Sequence, residues 1–314
     1  MKTLTFKDLQ GAIAGGVAAF RANIRLQPAG GSGTKVFPPT YSGGIYATER
    51  RRIDGVELDS VLLNSVQVEA NQLESCLRDA WEDEVLKVPV IYSDFSNVSF
   101  EGASDHVLAS VRELDRITTF DAPHRIADAI FRDSNTSEGV AFREAYARAF
   151  EANIRNATAL FELCPAALLF GTWDSTGSRG GLGNKFARAL VSEVVGIGAK
   201  AGVRTSSRLD PLAISSKVPI YARKGGGWTA LESEADHDDK GELRKYESKN
   251  GKGNPSAVNH SNVTPDIVTA ERSSDPISGG VTIDFALRSA VISLPALDRK
   301  STRLNSSHQP VNRM

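Results

Sequence analysis

The chain has 314 residues, of which 40% are hydrophobic and 24% charged, and its formal net charge is −1. This composition is typical of a soluble globular protein, and the length is ample for a buried core. No run of about 18 or more apolar residues occurs, so no membrane span is expected. Cys76 and Cys164 allow at most one disulfide bond. With no signal-peptide order at the start, we expect a cytoplasmic protein.

Charge is distributed unevenly along the chain. Residues 1–52 carry a net charge of +6, residues 53–116 one of −10 and residues 175–225 one of +7. If folding keeps these stretches apart, a basic face attracts polyanions and an acidic face favours head-to-tail docking of copies. Alternatively, folding scatters the charges over the surface.

Hydrophobic periodicity predicts mixed helices and strands. In chain order we predict a helix or turn over 9–20, an extended basic region over 21–52, a helix over 58–83, a strand over 88–95, helices over 122–133 and 140–164, a strand over 167–173, a helix over 184–195 and a strand over 279–294. The helix over 184–195 depends on Phe186, Leu190 and Val194, with Asn184 as its N-cap and Gly196 as its stop. Because helices and strands do not alternate regularly, the fold class predicted is α+β.

Two further segments differ in composition. Residues from about 228 to 276 are almost free of large apolar side chains and are predicted to form a polar insertion or mobile excursion. Residues 300–314 have no periodicity and resemble translated sequencing-adapter DNA, so we expect a non-native or disordered tail. Residues 1–299 are then predicted to form one domain that carries the insertion.

The glycine-rich stretch FGTWDSTGSRGGLGNKFARAL runs from residue 170 to residue 190. It fails as a Walker A loop because Asn184 separates glycine from Lys185 and Phe186 stands where Ser or Thr is required. It fails as a dinucleotide fingerprint because the third glycine is missing and no βαβ unit surrounds it. We therefore expect no nucleotide cofactor.

The same stretch offers groups that suit a nucleic-acid backbone. Its glycines expose N–H groups, and Trp173 provides a ring on which a base can stack. Hydroxyl and cationic groups are supplied by Ser175, Thr176, Arg179, Lys185 and Arg188. Alternatively, Trp173 is a core residue, and Lys185 and Arg188 lie on a solvated helix face.

Other chemistry is not indicated. The five histidines lack metal-ligand spacing, the acidic run at 236–239 lies in the polar segment, and no G-x-S-x-G motif is present. No metal, cofactor or catalytic residue is expected. The residues alone predict a soluble α+β protein that binds a polyanion.

Six stretches together resemble one family. They are FPPTY (37–41), LNSVQVEANQLE (63–74), DAPHRIADAIFRDS (121–134), the long block at 156–196, SAVNHSNVTP (256–265) and GGVTIDFALRSAVISLPAL (279–297). Their order resembles the repeated backbone subunit, of the RAMP superfamily, in the type I-U/I-G CRISPR-associated surveillance complex called Cascade. The likeness extends from about residue 26 to residue 297, and the adapter-like tail departs from it.

The resemblance implies a modified RRM-like (ferredoxin-like) palm with large insertions and a thumb-like protrusion. It implies a non-catalytic subunit that binds CRISPR RNA (crRNA) and stacks with further copies of itself in a helical filament. The other partners implied are target DNA, which pairs with the guide in antiviral defence, and the remaining Cascade subunits. No membrane partner is expected.

The resemblance also extends the set of RNA-binding candidates beyond the glycine-rich stretch. The additional candidates are Arg25, Lys35, Ser65, Gln67, Asn71, His124, Arg125, Arg223, Lys224, Asn259 and His260. Hydroxyl and carboxamide groups such as those of Ser65, Gln67 and Asn71 bind ribose or phosphate without reading sequence. Their alternative role is hydrogen bonding inside the palm.

The sequence is also compatible with two other functions. The chain could be an RNA-cleaving RAMP subunit that uses a loop aspartate, with Asp94 or Asp174 in that role. It could also be a phosphate-binding metabolic enzyme, which would bind a small nucleotide and no RNA.

Overall fold

The structure, a computed structural model, describes residues 5–96, 102, 113–153, 156–174, 176–177, 185–208, 218–259, 263–268 and 279–298. The chain divides into two compact units. The sheet unit comprises Met1–Thr34, Thr48–Ala199 and Ile283–Met314, and the hairpin unit comprises Lys35–Ala47 and Lys200–Thr282. The predicted tail, residues 300–314, lies outside the described residues.

The described elements are mixed helices and strands, which confirms the predicted α+β class. The helices are α1 (Phe6–Ala14), α2 (Val66–Glu82), α3 (Ala129–Arg132), α4 (Phe142–Ala145), α5 (Ala147–Phe150), α6 (Thr158–Leu163), α7 (Pro165–Leu169) and α8 (Leu294–Asp298). The strands are β1 (Ala19–Leu26), β2 (Thr40–Tyr41), β3 (Ile45–Tyr46), β4 (Thr48–Ile53), β5 (Val56–Asn64), β6 (Tyr92–Asp94), β7 (Arg116–Thr118), β8 (Thr172–Trp173), β9 (Lys185–Phe186), β10 (Leu190–Ile197), β11 (Lys200–Ala201), β12 (Arg204–Arg208), β13 (Tyr221–Ala222), β14 (Trp228–Thr229), β15 (Glu247–Ser248), β16 (Gly251–Lys252), β17 (Val263–Val268), β18 (Val281–Thr282) and β19 (Phe285–Ser293). Short 3₁₀ turns lie at Arg125–Ala127, Glu232–Glu234 and Pro255–Val258.

A five-stranded antiparallel sheet with the order β1-β19-β10-β5-β4 forms the centre of the sheet unit. Helix α2 covers one face of it, where the buried Glu69 carboxylate accepts hydrogen bonds from Ser192 Oγ at 2.7 Å and Arg288 Nε at 2.9 Å. The alternation in β19 was the clearest strand signal in the sequence, and its prediction is confirmed for residues 285–293. The RRM-like palm and the thumb stay predictions that depend on the resemblance.

The predicted helix over 184–195 is wrong. Residues 190–197 form β10, which pairs with β19 on one side and β5 on the other. Phe186, Leu190 and Val194 repeat every four residues, a spacing that fits two strand periods as well as one helical turn. The β-branched run that follows, with Val195 and Ile197 almost fully buried, favours the strand.

The predicted helix over 58–83 combines two elements. Residues 56–64 form β5, and α2 begins only after Ser65, whose side chain accepts the Val68 N–H as an N-cap. The apolar residues before Ser65 are part of the sheet, and those after it, such as Ala70, Leu73 and Leu77, pack into the hydrophobic core. The helical period was therefore correct only for the second part.

Several shorter predictions are wrong in the same region. The helices expected over 122–133 and 140–164 are single turns separated by caps and bends, from α3 to α6. Residues 167–169 belong to helix α7, and only Thr172 and Trp173 of the predicted strand over 167–173 are extended. The helix-like spacing arose because these turns all direct apolar residues into one core, formed by residues such as Phe131, Phe142, Leu160, Ala167 and Phe170.

The hairpin unit consists of short antiparallel pairs: β2–β3, β11–β18, β12–β17, β13–β14 and β15–β16. In the segment predicted to be a polar insertion, Ala235 and Ala257 are buried among these pairs. The segment therefore contains more regular structure than its composition indicated. The boundaries of the predicted domain and insertion stay predictions.

Among the described residues, no helix combines the length and the apolar character that a membrane crossing requires.

Candidate nucleic-acid interface

The glycine-rich stretch connects the two strands of a small hairpin in the sheet unit. In this hairpin, β8 pairs with β9, Thr172 faces Phe186 and Trp173 faces Lys185. Trp173 is 47% exposed, so it is not the core residue of the alternative reading. The Lys185 ammonium lies 5.9 Å from the centre of its ring, within cation–π range. The candidates Ser175 and Arg179 lie outside the described residues.

The base of this hairpin is fixed by Gly171. Its φ is +83°, and a Cβ at this position would lie 2.8 Å from the Phe186 carbonyl oxygen. Glycine is required here because a side chain would collide with the opposite strand. Arg188 also stabilises the base of the hairpin, because its Nε donates a hydrogen bond to the Phe170 carbonyl at 3.1 Å.

Arg188 does not occupy the predicted helix face. It lies between β9 and β10 and is half-buried. Desolvation lowers the pKa of its guanidinium, and the positive charge of Arg125 lowers it further. Two guanidinium groups therefore lie near each other beneath the hairpin.

Arg125 is buried, and the structure corrects its assignment as an RNA contact. Its Nε and Nη2 each lie 2.6 Å from a carboxylate oxygen of Glu74, and its Nη1 donates to the Gly171 carbonyl at 2.8 Å. Burial raises the pKa of Glu74, and the Arg125 guanidinium opposes that rise. Because the three donors of Arg125 are engaged inside the fold, its role is to support the hairpin.

Asp174, the first residue after β8, is a buried carboxylate held by Arg143. The Arg143 Nη1 and Nη2 atoms lie 2.9 and 2.8 Å from its two oxygens. The backbone N–H and hydroxyl of Thr176 also donate to Asp174, so the candidate hydroxyl of Thr176 is engaged within this cluster. Burial raises the pKa of Asp174, but the hydrogen bonds and charge of Arg143 together with the hydrogen bonds of Thr176 lower it more, and the pKa lies below the ordinary value of 3.8.

Sequence reasoning missed Arg143, because no local pattern distinguishes it from other arginines of the predicted helix. The partner carboxylate lies 31 residues further along the chain. The only available signal was that Asp174 ends an apolar run and would need a cation if buried.

His124 lies beside the hairpin. Its side chain is exposed, and its carbonyl accepts a hydrogen bond from the Thr172 hydroxyl at 3.3 Å. The hairpin therefore brings the exposed groups of His124, Trp173 and Lys185 together on one part of the sheet unit.

The candidates on α2 divide into two roles. Ser65 is the N-cap of the helix, so its hydroxyl is used inside the fold, as its alternative role predicted. Gln67 and Asn71 are exposed. They share a helical stripe with Glu74, since positions four and seven residues apart lie on one face. This stripe leads to the base of the hairpin, where Glu74 binds Arg125.

Arg25 lies on β1, the edge strand of the central sheet, with its guanidinium 3.8 Å from the centre of the Phe285 ring. Alternation along the strand places Arg21, Asn23 and Arg25 on the same face, and all three are exposed. Their partners on β19 alternate with Arg288, so this face is the one opposite α2. We name Arg21, Asn23 and Arg25 the β1 polar row; sequence reasoning selected only Arg25.

The remaining candidates belong to the hairpin unit. Lys35 is a structural residue, because its Nζ donates to the Gly279 carbonyl at 3.0 Å and lies 3.4 Å from that of Val203. Arg223 forms an ion pair with Glu234 at 3.0 Å, and Lys224 is exposed. Asn259 has a left-handed backbone, and its Oδ1 accepts a hydrogen bond from Asn250. His260 lies outside the described residues.

No group of three or more His, Cys, Asp or Glu side chains within the described ranges is placed to hold a metal ion. Asp94, the other aspartate considered for catalysis, is exposed, and its carboxylate accepts hydrogen bonds from the backbone and hydroxyl of Ser96.

Comparison with protein families gives one match. The model for CRISPR-associated protein GSU0053 (Cas_GSU0053) matches residues 20–201, which include all of β1 except Ala19, helix α2 and the whole β8–β9 hairpin. A comparison with curated proteins finds no match. Because the family model covers more than half of the chain, the chain belongs to this CRISPR-associated family.

Proposed function

We propose that this member of the CRISPR-associated GSU0053 family is a non-catalytic, crRNA-binding backbone subunit of a type I-U/I-G Cascade complex. In this role, copies of the chain bind along the guide RNA and hold it for pairing with target DNA. Contacts go to phosphates and riboses, so any guide sequence is accepted.

The observation that carries this proposal is the β8–β9 hairpin. It exposes Trp173 and Lys185 side by side at the two ends of a stretch rich in glycine and serine that also contains Arg179. An aromatic ring on which bases stack, next to a cation that neutralises phosphate, is the combination by which single strands are bound without sequence preference. The fixed Gly171 corner holds this pair on a rigid base.

The β1 polar row supports the same function. Arg21 and Arg25 lie four residues apart on one strand face, and Asn23, midway between them in sequence, lies on the same side. Such a row spaces positive charge along a line, as a phosphate backbone does. Gln67 and Asn71 offer neutral donors on α2, which covers the opposite face of the sheet.

The partners in the proposal follow from the family and the resemblance. A CRISPR-associated protein acts with other components of its system, and the uneven charge of the sequence suits stacking of copies. We propose further copies of the chain, crRNA, the other Cascade subunits and, through the guide, target DNA.

RNA cleavage by a loop aspartate is less well supported. Both oxygens of Asp174 accept hydrogen bonds from Arg143, which neutralises the charge that a metal ion would require. The phosphate-binding metabolic enzyme is also less well supported, since Asn184 and Phe186 depart from Walker chemistry.

Expression with a CRISPR array and the neighbouring complex genes tests the proposal. We expect the purified assembly to contain RNA of one uniform length, with several copies of this chain. Recovery of an RNA-free monomer would contradict the proposal. Regular Mg²⁺-dependent cuts in a labelled complementary RNA, abolished by Asp94→Ala or Asp174→Ala, would favour the cleaving enzyme instead.

Lys185→Ala tests the hairpin directly. We expect weaker binding of a labelled single-stranded RNA, by roughly threefold to tenfold, equally for unrelated sequences and with a shallower salt dependence. Lys87→Ala, which removes an exposed lysine from the loop after α2, is the matched control and should bind like the wild type. A loss confined to one RNA sequence would contradict the backbone-contact role.

A further inference from the structure

Arg143 and Asp174 form a buried cluster at the point where the glycine-rich stretch leaves β8. Only 8% of the Asp174 side chain and 26% of the Arg143 side chain are exposed. The Asp174 carboxylate accepts four hydrogen bonds: two from Arg143, one from the Thr176 backbone and one from the Thr176 hydroxyl. A buried charge engaged in this way fixes the backbone that carries it.

The cation of this cluster is itself held rigidly. Arg143 lies on α4 next to Phe142, whose ring is 5.0 Å from that of Tyr146 and 5.9 Å from that of Phe131. The Arg143 guanidinium lies 4.9 Å from the Phe150 ring. The cluster therefore connects the exit of β8 to the aromatic core.

The residue after Thr176 fits closely against the same carboxylate. A Cβ at Gly177 would lie 2.8 Å from Asp174 Oδ2. Thr176 and Gly177 are thus both held against one carboxylate.

We propose that Arg143 and Asp174 are positioning residues that pre-organise Thr176 and Gly177, at the exit of β8, for RNA, without touching RNA themselves. This inference rests on the proposed function. Pre-organisation strengthens binding because the backbone loses less conformational freedom when the ligand arrives. It also gives Asp174 a role other than catalysis.

Asp174→Asn is the first test variant, because it keeps the size of the side chain and removes its charge. Gly177→Ala is the second, because it pushes against the carboxylate and leaves every charge in place. Asp133→Asn is the matched control: Asp133 also accepts two hydrogen bonds from an arginine, Arg132, but this pair is exposed. Thermal unfolding of each variant shows that it is folded before the comparison.

Amide hydrogen exchange of the RNA-free protein is the first measurement. We expect both test variants to exchange faster at Thr176, Gly177, Lys185 and Phe186, with no change in β10, because the loss of order is local. The control should exchange like the wild type. Unchanged exchange at these four amides in Asp174→Asn would overturn the proposal.

Binding of a fluorescein-labelled single-stranded RNA of mixed sequence is the second measurement. We expect both test variants to bind on the order of tenfold more weakly with the same salt slope as the wild type, because the number of phosphate contacts is unchanged. Tighter binding by Asp174→Asn, or a changed salt slope, would show direct contact and overturn the proposal. If the wild type bound no RNA, the proposed function would fail, whereas hydrogen exchange would still decide whether the cluster orders Thr176 and Gly177.

Discussion

Replacing Arg125 by methionine tests the buried ion pair beneath the hairpin. In the native structure, only 7% of the Arg125 side chain and 3% of that of Glu74 are exposed. Methionine fills much of the same space but leaves the Glu74 carboxylate buried without its cation. Breaking a buried pair in this way costs about 3–5 kcal/mol of unfolding free energy. The Gly171 carbonyl also loses its donor, at a further cost of about 1 kcal/mol.

This loss of stability depends on pH. Burial raises the pKa of Glu74 above its ordinary value of 4.5, and Arg125→Met removes the main group that opposes the rise. An acid whose pKa is higher in the folded state stabilises the fold fully below its unfolded pKa, and this contribution is lost as the pH rises through the folded pKa. The gap between the variant and the wild type should therefore widen from mildly acidic to neutral pH.

Thermal unfolding at mildly acidic and at neutral pH measures this loss of stability. At neutral pH we expect a midpoint lower by roughly 5–10 °C, from the entropy of unfolding of a chain of this size. The double variant Glu74→Leu/Arg125→Met buries no charge and should recover much of the loss. A single variant within about 1 kcal/mol of the wild type at neutral pH, or a double variant no more stable than the single one, would refute the reasoning.

Three other changes test separate parts of the fold. Gly171→Ala should destabilise the fold by about 2–4 kcal/mol. Gly43 has the same φ of +83° but open space around it, so Gly43→Ala should cost only about 1 kcal/mol. Chemical denaturation of both variants isolates the cost of the collision with Phe186, and equal losses of stability would contradict that collision. Phe131→Ala should cost about 3–5 kcal/mol, since the ring is 1% exposed in the aromatic core, and a loss below about 1 kcal/mol in the same assay would show that the core is loosely packed there. The pKa of Asp174 is lowered in the fold, so its charge stabilises the fold above about pH 4, and this contribution is lost as the pH falls through the folded pKa. The difference in unfolding free energy between the wild type and Asp174→Asn should therefore shrink in acid. A difference that stays constant with pH would contradict the buried pair.

The sequence predicted the elements whose patterns are local and long. The α+β class, the helix that became α2 and the alternating strand β19 all follow from hydrophobic periods within one segment. The departure of the glycine-rich stretch from a Walker motif at Asn184 and Phe186 can likewise be read directly from the chain.

The candidate site could be predicted only in part, because exposure is not a local property. Trp173, Lys185, Gln67, Asn71 and Arg25 are all exposed, as an RNA contact requires. Arg125 carries the same guanidinium as Arg25, yet it is buried in an ion pair, and the exposed Lys35 and the half-buried Ser65 are used for two carbonyls and for a helix cap. Nothing in the neighbouring residues distinguishes these two sets.

By itself, the sequence determined the family and the class of fold. The tertiary structure decided two further points. Residues 190–197 became a strand because two neighbouring strands supplied partners for a segment whose four-residue spacing fitted either period. Arg125 and Arg143 became supports of the hairpin because their carboxylates, 51 and 31 residues away in sequence, are brought into contact only when the core closes. Once buried, each charge requires its partner, and a pattern of neighbouring residues cannot predict which partner the fold supplies.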